Sequence, residues 1–137
     1  AIGENADFLI EKYDIRGGGK TITARSLSGG NQQKVIIARE FEQEYDFLLA
    51  SQPTRGVDVG AIEFIHNKIL ESRDSGKAVM VISADLQVVI SLSDRIIVLF
   101  EGRIVGVVDA QNTTEMQLGL MMSGASISTG KEEVEHD

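Results

Sequence analysis

The chain has no cysteine, no tryptophan, a single proline and little positive charge. Without cysteine there is no disulfide framework and no thiolate metal site, which fits a reducing compartment. Lys and Arg number 13 against 21 Asp and Glu, for a formal net charge of −8 over 137 residues. That balance excludes a sequence-independent grip on nucleic acid, which needs cations to neutralise phosphates. It does not exclude nucleotide binding, which a few backbone amides can accomplish. Long apolar runs are also lacking: the longest cover a handful of residues, far short of the ~20 a membrane helix needs. The first residues contain no basic stretch followed by a long apolar one, so a targeting signal is not expected. Any link to a membrane therefore runs through a partner, without direct insertion. What remains is 42% hydrophobic and 25% charged, an ordinary globular composition with room for one modest domain or a piece of a larger one.

Residues 4–13 set Phe8, Leu9 and Lys12 among polar neighbours, an amphipathic helical pattern that Gly17, Gly18 and Gly19 end. A second helix is expected over 31–42, with Val35, Ile36, Ala38 and Arg39 at helical spacing and Gly29-Gly30 marking its start. The apolar run 47–50, closed by Pro53 and Gly56, reads as a buried strand. A helix over 59–73 follows, with Ile62, Ile65 and Ile69 on one stripe and Ser75-Gly76 at its end. Residues 78–82 are β-rich and continuously apolar, as a parallel strand covered on both faces should be. A short helix over 86–92 leads to a strand over 95–100, a turn at Glu101-Gly102 and a strand over 103–108, an antiparallel hairpin. Thr113 opens a helix through Met122 with Glu115 in its first turn. From Gly124 onward the chain is small, polar and then acidic, the composition of a mobile tail. Strand and helix alternate from Tyr45 to Phe100, which indicates an α/β sheet with parallel strands. No strand pattern precedes Phe47, so the opening strands of such a sheet are expected to lie outside this sequence.

Gly17-Gly18-Gly19-Lys20-Thr21 resembles the end of a phosphate-binding loop. Such a loop also needs glycine at the place Asp14 occupies, a buried strand before it and a helix after it, so that backbone N–H groups converge on the phosphates. A helical pattern precedes this stretch and Thr21-Ile22-Thr23 follows it. It reads as a glycine turn.

Leu27-Ser28-Gly29-Gly30-Asn31-Gln32-Gln33-Lys34 is the most informative stretch. A hydroxyl and two glycines immediately before a helix offer unblocked amides and a positive helix end to an anion. A serine there is usually a plain N-cap, and the octapeptide by itself does not exclude either role. It resembles the signature motif of ATP-binding-cassette (ABC) ATPases. The downstream order agrees: helix, apolar strand, Pro53-Thr54-Arg55-Gly56-Val57-Asp58, helix, strand, then Ser83, with Asp94-Arg95-Ile96-Ile97-Val98 and Glu101-Gly102 beyond. The resemblance covers roughly residues 25–108. The Asn-Gln-Gln-Lys variant and the stretch from Pro53 to Ala61 resemble tandem-cassette importers of monosaccharides, and the nucleoside importers are an equally close match.

The resemblance implies the fold and the site. The expected fold is α/β: an incomplete P-loop NTPase-like ABC core, a largely parallel sheet flanked by helices, with a C-terminal antiparallel hairpin. Residues 1–26 would end the helical subdomain, 27–110 would form the C-terminal part of the core of a second cassette, 111–123 a C-terminal helix and 124–137 the acidic tail. Ser28, Gly29, Gly30 and Gln32 would complete the ATP site of a partner cassette in the same or a second chain, and Asp58 would sit in the D-loop facing it. Departures matter as much. The family's Walker B strand ends in Asp-Glu, where Asp helps hold Mg²⁺ and Glu polarises the attacking water; Ser51 and Gln52 stand there. The family's switch position is His, and Ala84 stands there. A positioned general base is worth ~10²–10⁴-fold in rate, so no catalytic set is intact. ATP and Mg²⁺ would belong to the full-length dimer, with neither expected on this chain alone. The parent would be an ATPase subunit at the inner face of the cell membrane, working with permease subunits to take up a sugar or nucleoside.

A non-catalytic structural or regulatory module that binds a partner is the rival function, and a soluble ABC protein of translation or repair is disfavoured by the importer-like stretches. His66, four residues after Ile62, reads as a partly buried helix position, and His136 as part of the tail. Asp85, Asp94 and Glu101 are acidic without a spacing that brings them together, and Glu132, Glu133, Glu135 and Asp137 read as a solvated cluster rather than a metal site.

Overall fold

Helix α1 (Ile2–Lys12) buries none of its own residues. Its anchor is the residue after it: Tyr13 is buried to 2% exposure and donates its hydroxyl to Glu42 at 2.7 Å. The amphipathic pattern of 4–13 points to Phe8, yet Phe8 is 55% exposed, because the chain turns at Tyr13 and carries that ring inward against Phe64 instead, centroids 6.1 Å apart and edge to face. Lys12 joins the same Glu42 oxygen at 2.6 Å. Asp14, at φ 47, and Gly17 and Gly18, at φ 115 and 143, then turn the chain. Lys20 pairs with Asp7 of α1, so the glycine-lysine stretch is a turn tied to the helix before it.

The structure, a computed structural model, describes residues 2–125. It divides into two units, Ala1–Ile82 and Ser83–Asp137, and the boundary falls inside the stretch 27–110 that the sequence groups as one core. Each unit holds its own two-stranded sheet.

In the first unit, helix α2 (Gly29–Phe41) begins two residues before the expected start because Ser28 caps it and both glycines lie inside its first turn. Its buried positions are Gly30, Ile37 and Ala38, whereas Ile36 is 46% exposed. Strand β1 (Phe47–Ser51) pairs in parallel with β2 (Ala78–Ile82), Leu48 opposite Val79 and Leu49 opposite Met80. Between them, helix α3 (Val59–Asp74) buries Ala61, Ile65, Ile69 and Ser72, with Ile62 half-buried at the flank of the stripe. Ser72, polar and buried, shares a 2.7 Å hydrogen bond with the Tyr45 hydroxyl. The expectation that 78–82 is covered on both faces is corrected: one face packs inward, while Phe47, Leu49, Met80 and Ile82 are 55, 54, 46 and 43% exposed on the other. The helical layer within this unit covers one side of a two-stranded sheet, and strand alternation leaves the second side open.

In the second unit, Asp85 caps helix α4 (Leu86–Leu92), accepting from Gln87 N at 3.0 Å and Val88 N at 3.3 Å. Strands β3 (Arg95–Phe100) and β4 (Arg103–Asp109) form the antiparallel hairpin. Its two-residue turn has Glu101 at φ 47 and Gly102 at φ 75, the mirror-type turn that matches strand twist. Helix α5 (Glu115–Met122) starts two residues later than expected, where Thr114 and Gln117 make a capping box. Ile96, Val98, Ala110, Leu118 and Met121 form this unit's core, with Leu86, Val89, Ile90 and Val108 packed around it. Gly106 lets β4 pass under α5, since a Cβ there would stand 2.5 Å from Met121 Sδ. The tail from 126 on, including His136 and the acidic cluster, lies outside the described residues.

Lys12, and then Tyr13, donate to Glu42 and hold its carboxyl below the usual carboxylate range, while burial and the facing Glu42 push the Tyr13 phenol up. A carboxylate whose folded pKa is depressed stabilises the fold above its unfolded pKa, and the contribution is lost as pH falls through the folded value. Tyr13→Phe is expected to cost about 1 kcal/mol at pH 7. In urea denaturation at a series of pH values, the difference from wild type should shrink once pH drops below the carboxylate range. A difference that stays constant through acid would remove Glu42 from the account.

Candidate functional site

The first turn of α2 is built to receive an acceptor. The helical ladder opens with Gln32 N donating to Ser28 O at 2.8 Å, so the amides of Gly29 and Gly30 lie ahead of it and point along the helix axis. Ser28 Oγ accepts from Asn31 N at 3.4 Å and from Asn31 Nδ2 at 2.9 Å. In both contacts the oxygen accepts, which leaves the hydroxyl proton for an outside acceptor. Ser28 and Gly29 are exposed and Gly30 is buried. The two roles left open by the sequence, N-cap and anion site, are thus compatible in one side chain.

The turn is seated on a second helix start. Asp58 caps α3, accepting from Ala61 N at 2.9 Å. A Cβ at Gly30 would stand 2.6 Å from Asp58 Oδ2 and 3.3 Å from Ala61 Cβ, and one at Gly29 would stand 3.3 Å from Gly56 O. Two glycines in succession are what permit this approach. Beside it lies a polar groove of about 280 Å³ lined by Asp14, Arg16, Asn31, Lys34 and Asp58, with Gly30, Gly60 and Ala61. Its cations are already engaged: Arg16 Nε reaches Asp14 at 2.9 Å, and Lys34 Nζ reaches the Asp14 carbonyl at 2.8 Å and carboxylate at 3.1 Å. Hydrogen bonds from Arg16 and then Lys34 hold the Asp14 carboxyl below its usual range. Lys34 also stands 5.1 Å above the Phe64 ring.

Of the residues singled out by sequence, Ser28, Gly29, Gly30 and Asp58 come together here. Gln32 takes part differently: its amide donates to Leu27 O at 2.9 Å and braces the turn before the helix. Ser51 ends β1, exposed. Gln52 follows in the left-handed region at φ 49, its N–H donating to Ile82 O at 2.7 Å and its carbonyl accepting from Arg55 N at 3.2 Å. A non-glycine residue there carries strain of order 1 kcal/mol. Ala84 is exposed in the bend before α4, where Ser83 Oγ accepts from Asp85 N at 3.0 Å. Asp85 is a helix cap and Glu101 a turn residue, and no three His, Cys, Asp or Glu gather to hold a metal among the described residues. His66 is half-buried on α3.

Sequence reasoning missed two contributors. Asp14, noticed only as a break in a phosphate-loop pattern, organises the groove. Gln33 donates from Nε2 to Pro53 O at 3.1 Å, joining α2 to the loop after β1; its position one turn beyond Gly29 and Gly30 was the available signal.

The contact between the two helix starts predicts a measurable coupling. Asp58→Ala should cost about 1 kcal/mol through loss of the cap. Gly30→Ala should be more damaging in wild type than in an Asp58→Ala background, because the added methyl displaces that carboxylate, with a coupling of about 0.5–1 kcal/mol. Additive losses in urea denaturation would mean that the two helix starts do not bear on each other.

Comparison with known proteins gives this geometry its context. No protein-family model matches the chain. The guanosine import ATP-binding protein NupO of Bacillus subtilis is 55% identical over 123 residues, which cover 90% of this chain and 24% of that protein. The glucose import ATP-binding protein TsgD13 of Haloferax volcanii is 46% identical over 127 residues, covering 91% of this chain and 23% of that protein. Among solved structures, the dimeric bacterial ABC transporter cassette MJ0796 superposes with a TM-score of 0.67 at 27% identity, over 80% of this chain and 47% of that one. The chain thus spans about a quarter of the length of the curated relatives it matches. The names of these relatives are those of import ATP-binding proteins, and the parallel strand pair, flanking helices and terminal antiparallel hairpin correspond to part of the fold of an ABC ATPase cassette.

Proposed function

We propose that this chain is part of the ATP-binding subunit of an ABC importer of nucleosides, and that it supplies its α2 N-terminus to an ATP held by a partner cassette. The observation that carries the reading is the first turn of α2. Two glycine amides lie ahead of the helical ladder and the Ser28 hydroxyl proton is available beside them, a donor set suited to a terminal phosphate. Gly29, Gly30 and Asp58 hold that turn against the loop 53–58, so both would face the same partner. The resemblance of Leu27-Ser28-Gly29-Gly30-Asn31-Gln32-Gln33-Lys34 to the ABC signature supports this division of labour. Nucleoside is preferred to sugar because identity to the guanosine import protein is 55% against 46% to the glucose import protein.

The residues fit a phosphate and do not fit a resident Mg²⁺. Ser51 and Gln52, at the positions of the family's metal-associated Asp and general base, bring no carboxylate, and Ala84 brings no hydrogen-bond donor in place of the switch His. Bound ATP would supply the bond to be hydrolysed. This chain's share is to donate hydrogen bonds to the phosphate from Ser28, Gly29 and Gly30 and to orient it, while the metal and the base belong to the partner cassette. The pair is then asymmetric, with one working site and one impaired site. No helix among the described residues is long and apolar enough to cross a membrane. The resemblance to importer ATPases is what supports attachment at the cytoplasmic face through permease subunits.

Two outcomes test the reading in the full-length protein assembled with its permease. Ser28→Arg places a bulky side chain where the phosphate would sit, and ATP turnover and nucleoside uptake should fall by at least about 10²-fold while the protein still folds. Unimpaired turnover would sink the shared site. Gln52→Ala should alter kcat at saturating ATP by less than about threefold, whereas loss of the partner cassette's general-base carboxylate should cost ~10²–10⁴-fold. Equal losses would make this half catalytic after all. Uptake of labelled guanosine against labelled glucose decides the solute class.

A further inference from the structure

The loop 53–58 is bonded from two sides. From the sheet side, Ile82 O accepts from Gln52 N at 2.7 Å, and Gln52 O accepts from Arg55 N at 3.2 Å, which fixes the turn that starts the loop. From the helix side, the bond in place is Gln33 Nε2 to Pro53 O at 3.1 Å, between residues 20 apart in sequence. Gln33 lies on the same face of α2 as Gly29 and Gly30, one turn on. Those glycines meet Gly56 O and the Asp58 carboxylate further along the same loop. The first turn and a half of α2 therefore runs alongside the loop, touching it at Pro53, Gly56 and Asp58.

The two kinds of contact differ in what they can transmit. The glycine contacts are repulsive limits: they stop α2 from moving closer to the loop and do nothing if it moves away. A hydrogen bond resists separation. Pro53 is buried and its carbonyl needs a donor, so a displacement of α2 away from the loop breaks that bond or carries the loop along.

We propose that Gln33 is a positioning residue that locks the loop 53–58 to α2, so that Asp58 and the Ser28-Gly29-Gly30 turn are presented to the partner cassette as one rigid surface. The assignment rests on the shared-site reading above. Gln33 touches no nucleotide in this account; it acts through Pro53. Contact of the partner's ATP with Ser28 would then register in the loop that follows Ser51 and Gln52.

The test uses the full-length protein with its permease subunits. Gln33→Glu keeps the size and removes the donor, Gln33→Met removes it without introducing charge should the Glu variant fold poorly, and Gln33→Lys restores a donor of similar reach. Backbone amide hydrogen exchange over residues 54–58 should accelerate about tenfold in the Glu and Met variants, the scale of one lost hydrogen bond, with exchange in α5 unchanged. In the same variants kcat should fall about tenfold with KM for ATP within about twofold, since orientation rather than uniform binding is lost. Gln33→Lys should recover most of both. Unchanged exchange over 54–58, unchanged kcat, or a Lys variant no better than the Glu variant would each overturn the inference. A Ser28→Arg control separates the two levels. If it abolishes turnover while the Gln33 variants behave as wild type, only the role of Gln33 falls. If it leaves turnover intact, the shared site falls, and exchange over 54–58 alone decides whether Gln33 holds the loop.

Discussion

The approach of α2 to the start of α3 is the constraint on which the rest of the site depends. Helix N-termini carry like partial charges, so two of them brought together repel unless something negative stands between. Asp58 supplies that charge: it caps α3 through Ala61 N, and its other oxygen lies where a side chain at position 30 would be. Glycine at 30 leaves the room, and glycine at 29 gives the same clearance to the Gly56 carbonyl. The glycines that leave two amides open at the α2 tip are thus the same ones that let the tip sit on the loop.

Much of the fold is legible because its boundaries are chemical. Helix α3 ends at Ser75-Gly76, helix α4 is bounded by Asp85 and Ser93, and strand β3 ends at Glu101-Gly102, where continuation is costly or capping favourable, and these signals are local. Helix α2 was misplaced by two residues because a glycine pair reads as a breaker, whereas at the first helical turn glycine forfeits little: the amides there have no intrahelical acceptor to lose. The choice of Phe8 over Tyr13 failed for a different reason. Periodicity ranks residues along a helix and has no view of the turn after it, and it is Asp14 in the left-handed region that swings the chain and places Tyr13 beneath Lys68 and against Phe64.

Apolar strands carry less information than they seem to. Phe47, Leu49, Met80 and Ile82 fit a strand buried on both sides, but a helical layer on one side satisfies only Leu48 and its neighbours. Composition records what a strand can tolerate being buried against, and packing decides which face is covered. The site has the converse limit. Ser28, Gly29 and Gly30 were legible from their local role at a helix start, whereas Asp58 was named only through the family resemblance and its cap role emerged in the structure. The Gln33 tie to Pro53 joins residues 20 apart, and its local signal, a place one turn beyond Gly29 and Gly30, gives the helix face but not the partner.

Altered residues at the end of β1 follow a consistent physical logic. A carboxylate at Ser51 or Gln52 would need a metal, a cation or water to offset its charge, and the two groove cations near α2, Arg16 and Lys34, are already committed to Asp14. Neutral residues at 51 and 52 remove that demand. Backbone geometry is kept nonetheless: Gln52 holds a left-handed conformation that costs about 1 kcal/mol for a side-chain-bearing residue, and both its amide and its carbonyl are bonded. Strain of that kind persists only where the surroundings over-determine it. What over-determines it here is the turn into the loop 53–58, which must reach Pro53, Gly56 and Asp58 at fixed offsets to meet α2. The strand end thus carries neutral side chains at 51 and 52 while its backbone keeps the turn that seats the α2 tip on the loop 53–58.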